Sequence, residues 1–379
     1  MQFDLFHSIG RIDSLKPSLS DRDVFRSFFE QATLAESCGM GTIWVAESHF
    51  SSEVQKRHKD AVIPNYQGEV GINCDSCQLA QVLFAKTRRI GFGTAIFNIV
   101  GGNGGPIAAA DRINSLAFMN SLSDAPRRLD IGFAGGRFPY INSPFGITPR
   151  TSEEAKHWSE IRPLIFLEAL EIFMRLVGGK ILSSHDLTQY HFADQRPLEA
   201  RWQFDALRLV PVLDESQRQV LNLVLGSHDP RARQLALSLG DCDLFNLSFT
   251  APDKIDAIHL EMTKACSDRP RPWHRSRLPR TVLVFIDQNT TQATRRASAT
   301  IDTYIEAMRG TVELPPKEVL MSRALIGDAT RIRELLAPGS PMGFHQDDRL
   351  MLWFEFNQSD HEAILQQMRQ FADSVLPFC

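Results

Sequence analysis

What constrains this chain most is an alternation kept up from end to end: short apolar runs of strand length, each followed by a longer segment with apolar residues at helical spacing. Gln2–His7 reads as a strand, and Asp23–Cys38 as a helix whose Val24, Phe28, Ala32 and Ala35 share a face before Gly39 ends it. Further strands are predicted at Gly41–Ala46, Arg89–Phe97, Leu129–Ala134, Val220–Gly226, Cys242–Leu247, Arg280–Ile286 and Leu350–Phe356. Helices follow over Asp75–Lys86, Ile107–Leu122, Glu153–Val177, Asp229–Leu239, Ala251–Cys266, Gln292–Met308, Ala329–Leu336 and His361–Val375. Strands apolar on both faces that alternate with helices belong to a parallel sheet covered by helices. Eight such units is the count that closes a sheet on itself, so the predicted fold is α/β, a (β/α)8 barrel with insertion loops. An open doubly wound sheet would carry G-x-G-x-x-G after its first strand, and none follows His7. The Gly-dense stretch Gly101–Gly105 stands in the third unit, before Pro106 and not directly on a helix start.

All 379 residues are read as a single domain with excursions near 51–71 and 180–211; the second is polar and patternless, a candidate hairpin or lid. With 41 Lys+Arg against 45 Asp+Glu the chain has no global pull toward nucleic acid or an anionic membrane, and neither is expected as a partner. No basic leader or apolar run of membrane length is present, so a cytoplasmic location is expected. Six cysteines are too few for a disulfide scaffold, and Cys74-Asp-Ser-Cys77 lacks the second pair or the histidines of a zinc site. The one basic run, Arg269–Arg280, is taken as a solvated loop that a polyanionic cofactor tail could exploit.

In a parallel barrel the loops at the carboxyl ends of the strands converge on one mouth, and chemistry belongs there. The residues so placed are Phe6 and His7; Glu47, Ser48 and His49; Ala95, Ile96, Phe97, Asn98 and Ile99; Phe133, Ala134, Gly135 and Gly136; Gly226, Ser227 and His228; Leu247 to Phe249; Ile286 to Gln288; and Glu355 to Asn357. Too few His and Asp stand among them for a metal hydrolase, and no metal is expected. Glycines, alanines and phenylalanines suit a bulky planar cofactor instead, with Phe6, Phe97, Phe133 and Phe138 as walls. Gly226-Ser227 leads into Asp229-Pro230 at a predicted helix start, which reads equally as a phosphate seat or a plain N-cap. Arg137 and Arg150 are further phosphate ligands or solvated side chains. Glu47 and His49, two apart past a strand, read as an acid–base pair or as structural residues.

Several segments, in order along the chain, carry a resemblance. They are Ala35-Glu-Ser-Cys-Gly-Met-Gly-Thr-Ile-Trp-Val-Ala-Glu-Ser-His-Phe50, Arg89-Ile-Gly-Phe-Gly-Thr-Ala-Ile96, and Arg127-Arg-Leu-Asp-Ile-Gly-Phe-Ala-Gly-Gly136. Gly226-Ser227, Leu325-Ile-Gly-Asp-Ala-Thr330 and Leu350-Met-Leu-Trp-Phe-Glu355 complete them. Together they resemble the bacterial luciferase-like flavin-dependent monooxygenases and their deazaflavin-using relatives, which fold as TIM barrels. The resemblance implies a non-proline cis peptide at Ala95-Ile96 against the flavin ring, a flavin phosphate at Ser227, and Glu47 and His49 on the substrate side. Departures are specific: members commonly read Glu-His-His-Phe where this chain has Glu47-Ser48-His49-Phe50, and the cysteine and following arginine of luciferase fall at Ala134 and Gly135. Light emission is accordingly not expected.

The implied function is oxidoreduction with reduced FMN (FMNH2) from a separate flavin reductase, with O2 acting on a small-molecule organic substrate, in a homodimer. F420-dependent hydride transfer and a noncatalytic flavin-binding or partner subunit are the alternatives.

Overall fold

A computed structural model of the chain describes all residues except 13, 14, 16–18, 59, 60, 193, 247, 248, 312 and 379. Nine parallel strands form its sheet: β1 (Gln2–His7), β2 (Thr42–Val45), β3 (Gly91–Asn98), β4 (Leu129–Ala134), β5 (Leu221–Leu225), β6 (Asp243–Leu244), β7 (Arg280–Ile286), β8 (Leu325–Gly327) and β9 (Arg349–Trp353). Their order, β8-β7-β9-β1-β2-β3-β4-β5-β6, leaves β6 and β7 to be joined. Asn246 joins them: its N–H donates to Pro279 O and its carbonyl accepts from Thr281 N, both at 3.1 Å, in a parallel bridge with Arg280. Eight strands thus close a barrel, and β8 adds to the far half of β7. Helices α1 (Asp21–Ser37), α2 (Ser76–Lys86), α3 (Gly105–Ser121), α4 (Trp158–Val177), α5 (Pro230–Leu239), α6 (Pro252–Ala265), α7 (Thr290–Ala307), α8 (Ala329–Leu336) and α9 (His361–Ser374) follow the strands. Among the described residues no helix is long and apolar enough to cross a membrane.

The barrel agrees with the predicted class, and five details differ. The helix predicted over 153–177 breaks at His157, because Glu154 in the short helix Ser152–Lys156 turns to accept from Arg150 N and the buried Arg201. Strand β8 was not predicted; three residues are too few to show a period. Helix α3 begins at Gly105, directly on the Gly-rich loop, with Gly104 at φ 84° as its N-cap. The excursion near 180–211 is a hairpin bridged at Leu182 and Leu207, but it climbs the flank of the barrel. Its Arg201 and Trp202 N–H groups donate to Glu168 of α4, and the Trp202 indole lies against Gly105. Finally, the run Arg269–Arg280 is not a solvated loop. Arg277 and Arg280 are buried, and with Arg271 and Arg275 they pair with Asp241, Asp243, Asp256 and Asp348 at the amino end of β7, opposite the mouth.

These pairs belong to a buried ionic floor. Arg349 of β9 donates to Asp4 of β1 at 2.6 Å, to Thr42 of β2 at 2.9 Å and to Asp130 of β4 at 2.7 Å. Asn222 of β5 bridges Asp130 and Asp243, and Arg277 closes on Asp243 at 2.6 Å. Burial works against the Asp130 charge, yet Arg349 and Arg128 hold its carboxyl well below the usual range. For Asp4 burial wins, and its carboxyl is raised. Above the floor Trp44 crosses the interior, its indole donating to Asp4 at 2.7 Å. Only glycine leaves it room: a Cβ on Gly93 would lie 2.6 Å from the Trp44 ring.

Breaking a buried ion pair from one side leaves the other charge without a partner, at a cost of about 3–5 kcal/mol. Arg349→Met is expected to lose about that much stability at neutral pH, measured by urea unfolding. The sign with pH follows from Asp130. Its depressed pKa gives the native protein stability that is present above the unfolded carboxylate pKa of about 4 and fades as pH falls. In the variant the penalty should shrink on acidification, because protonating Asp4 and Asp130 removes the unpaired charge; a penalty independent of pH would contradict this account of the floor.

Candidate active site at the barrel mouth

Above Trp44 the barrel ends in small residues. Phe6, Trp44, Val224, Phe245 and Met351 form a buried interior cluster, and Ala46, Ala95, Ile96 and Trp353 pack on top of it, partly exposed. The peptide bond Ala95–Ile96 is cis, where the resemblance placed one, and the register of β3 against β4 shifts between Thr94 and Phe97. That irregularity lets two consecutive side chains, Ala95 and Ile96, meet the same interior cluster. Ile96 lies across Gly226 at the end of β5, where a Cβ would come within 2.0 Å of its Cδ1. Ala134, Gly135 and Ser227 continue the rim, each partly exposed. The result is an apolar bed with little side-chain relief, floored by Phe6 and by Trp353, whose ring centroids are 4.5 Å apart.

Two of the predicted walls are elsewhere. Phe133 is fully buried and packs on Phe173 of α4, because in β4 the inward residues are Asp130, Gly132 and Ala134, and alternation turns Phe133 outward. Phe97 likewise sits beneath Arg112 of α3. Asn98 and Arg150 are also corrected as cofactor ligands. The buried Asn98 side chain donates to Asn142 at 2.7 Å and accepts from Val100 and Gly101 N–H, tying the Gly-rich loop. Arg150 clasps the flank hairpin through the carbonyls of Ala200 and Arg201.

Glu47 and His49 do form a pair. His49 Nε2 lies 2.9 Å from Glu47 Oε1, and the fully buried Glu47 carboxylate also accepts from Ser76 Oγ at 2.9 Å and Asn103 Nδ2 at 2.6 Å. Gly102 presses on the imidazole, since a Cβ there would stand 2.6 Å from its Cδ2. The ring is therefore fixed from two sides, and Nδ1 makes no hydrogen bond among the described residues. Ser48, in the place of the family histidine, faces the Tyr140 hydroxyl. The serine favours the phenolate, but burial dominates and holds the phenol up at about 12; neither hydroxyl makes a well-aligned hydrogen bond.

On the Ser227 side of the mouth, Asp229 caps α5 by accepting from Arg231 N at 2.9 Å, and Ser227 Oγ accepts from Asp229 N at 3.2 Å, leaving the serine proton free to donate. Arg137 lies on the neighbouring rim over Phe138, 5.7 Å from its ring centre, without an ion pair among the described residues. Leu247 and Ser248 of the strand-end residues lie outside the described residues; Phe249 packs against Tyr304 and Phe356.

Beside the bed is a cavity of about 170 Å³. Trp353 and Ser8 belong to its barrel side, Phe138 to the rim, and Tyr66 and Val70 to the excursion 51–71. That excursion closes over the mouth: the two-residue strands Arg11–Ile12 and Gly68–Glu69 pair antiparallel, and Ile63 and Tyr66 pack with Met308. Tyr66, Tyr304 and Met308 escaped the sequence reading, because a loop and the end of α7 carry no strand-end signal. Glu355 did carry one. Its Oε1 accepts from Ser8 N–H and lies 3.4 Å from His7 Nδ1, while burial holds the imidazole of His7 below its ordinary pKa and Glu355 only partly counters that.

The bed fits a flat apolar ring: small residues let its face approach the backbone, and Gly226 has no Cβ to lift Ile96 into the space above. Ser227 offers a hydroxyl proton to a phosphate, whereas the start of α5 is an ordinary N-cap: Pro230 has no N–H, and the Asp229 and Arg231 N–H groups are taken by Ser227 Oγ and the Asp229 carboxylate. Among the described residues no group of three or more His, Cys, Asp or Glu could hold a metal ion.

The fold is similar to the monooxygenase RslO1 from Streptomyces bottropensis, with TM-score 0.72, 16% identity and coverage of 100% of this chain and 99% of that one. It is similar to the oxygenating constituent of 3,6-diketocamphane monooxygenase from the CAM plasmid of Pseudomonas putida, solved with FMN, at TM-score 0.62, 14% identity and coverage of 100% and 98%. An F420-dependent secondary alcohol dehydrogenase, solved with an F420-acetone adduct, gives 0.59, 15%, 100% and 99%. No curated protein sequence matches the chain. The model of the luciferase-like monooxygenases matches residues 1–372, and the chain belongs to that family.

Proposed function

We propose that the protein is a flavin-dependent monooxygenase that takes reduced FMN from a separate flavin reductase and uses O2 on a small organic substrate. The observation that carries this reading is the apolar bed of Ala46, Ala95, Ile96, Gly226 and Trp353 around the cis peptide, closed above by the 51–71 excursion. Bound there, a reduced flavin supplies the electrons that activate dioxygen. Ala95, Ile96, Ala134 and Gly135 would meet the ring, Phe6 would support it from below through Trp353, and the Ser227 hydroxyl would hold the phosphate. Tyr66 and Val70 keep water from the ring. Glu47 holds His49 by Nε2, so the proton that His49 takes or gives is carried at Nδ1. Neither nucleic acid nor membrane has a part in this reading.

The F420 alternative is weakened by the basic run, whose arginines are spent on the floor at the other end of the barrel. Titrating the purified protein with FMN, followed by flavin fluorescence, should give saturable binding. Ala134→Trp, which fills the bed, should weaken it at least about tenfold, or 1.4 kcal/mol. Selective binding of F420 would replace FMN in the proposal, and binding of neither would leave a partner subunit.

His49→Ala should slow oxidation of reduced FMN with substrate by roughly 10²–10⁴-fold while FMN affinity is kept; unchanged turnover removes His49 from the mechanism. Association as a homodimer through helices of the first half is part of the same reading. Val82 on α2, with Met119 on α3 and Leu122 just after it, is exposed there. Light scattering should return twice the chain mass, and a monomer would refute it.

A further inference from the structure

The cavity beside the bed has a chemistry of its own. Its volume of about 170 Å³ is below the roughly 300–1,000 Å³ of sites for drug-sized ligands, and close to the roughly 150 Å³ of an apolar cavity known to take benzene. One six-membered ring with one or two small substituents fills it; fused rings do not fit. Five aromatic side chains line it: Tyr66, Phe138, Tyr304 from α7, Trp353 at the end of β9 and Phe356 in the turn that follows. The Trp353 and Phe356 rings meet edge to face at 4.8 Å, as do those of Tyr304 and Phe356. Such walls select an aromatic or compact apolar body.

Charge selects further. Among the described residues no Lys, Arg or His lines the cavity, and its one carboxyl group is that of Glu355, 8% exposed. Glu355 Oε1 is held by the Ser8 N–H and faces His7, while Oε2 makes no hydrogen bond among the described residues. Ser8, Asn357, Gln358 and Ser359 also line this mainly apolar chamber, and in it a carboxylate oxygen attracts a hydrogen-bond donor and repels an anion. The same wall holds a buried polar side-chain atom that lacks a partner among the described residues, the indole nitrogen of Trp353. An indole N–H can only donate. A phenol hydroxyl serves both groups, giving its proton to Glu355 and accepting from Trp353; an ammonium serves only the first.

We propose that this cavity is the substrate seat and that it takes a neutral single-ring phenol, with its hydroxyl at Glu355. The proposal rests on the reading of the mouth as a flavin site, since Trp353 is shared between the cavity and the bed and sets the ring of the substrate beside that of the cofactor.

Calorimetric titration of the whole protein with p-cresol, toluene, p-toluate and 4-methylbenzylammonium tests it, with FMN titrated into the same samples. Saturable p-cresol binding is expected, roughly tenfold or more tighter than each of the other three, the margin of a hydrogen bond to a charged group. Glu355→Gln should weaken p-cresol several-fold and leave toluene unchanged. Val70→Trp, which fills the chamber from the excursion, should abolish p-cresol binding. Equal or tighter binding of the toluate or the ammonium would overturn the assignment, as would p-cresol binding that survives Val70→Trp. A sample that binds FMN but not p-cresol refutes the substrate seat alone. One that binds p-cresol but not FMN refutes the flavin reading alone.

Discussion

A single guanidinium ties the barrel together. Arg349 enters from the last strand, reaches Asp4 on the first and Asp130 on the fourth, and is 3% exposed. Burial opposes its charge, and the two carboxylates more than offset that, so it stays protonated under any condition in which the fold exists. Such a group can be buried only where its partners are already in place, which makes correct closure of the ring a condition for desolvating it. The floor therefore rewards one register of strands and penalises the others.

The floor also sets what the mouth can be. Trp44 stands on Asp4 and is covered by Arg349, whose guanidinium lies 5.2 Å from the ring centre, so the middle of the barrel is filled by one large rigid side chain. With the interior filled from below, the strand ends above need not contribute bulk, and Ala46, Ala95, Ala134 and Gly226 occupy them. A flat bed follows. The polar groups near it are held down by neighbours: Glu47 has three partners, and Asn98 is consumed by the Gly-rich loop. Among the described residues the groups left free at the mouth are Ser227, Arg137, one nitrogen of His49, one oxygen of Glu355, the Ser48 and Tyr140 hydroxyls and the Trp353 indole nitrogen, and these few groups carry the specificity of the site.

The barrel was legible because the alternation of apolar strands and amphipathic helices is a local property repeated eight times. The Ala95-Ile96 peptide and the Glu47–His49 pair were legible from a resemblance and from spacing. Phe133 was misplaced because an apolar run on a strand buried on both faces does not say which face each residue takes; only pairing with neighbouring strands settles that. The arginines of 269–280 looked solvated because their acidic partners, Asp241, Asp243, Asp256 and Asp348, lie elsewhere in the chain. Tyr66, Tyr304 and Met308 meet in one cavity from segments more than two hundred residues apart, and nothing local marks them.

From the sequence alone came the class of fold and the family. These rest on periodicity and short motifs, which depend on near neighbours. Tertiary structure decided which charges are structural and which are free, which phenylalanines face the mouth, and that a small aromatic chamber with one carboxylate lies beside it. Those properties depend on desolvation and on contacts between distant segments, and a charge has no burial until the chain has closed around it.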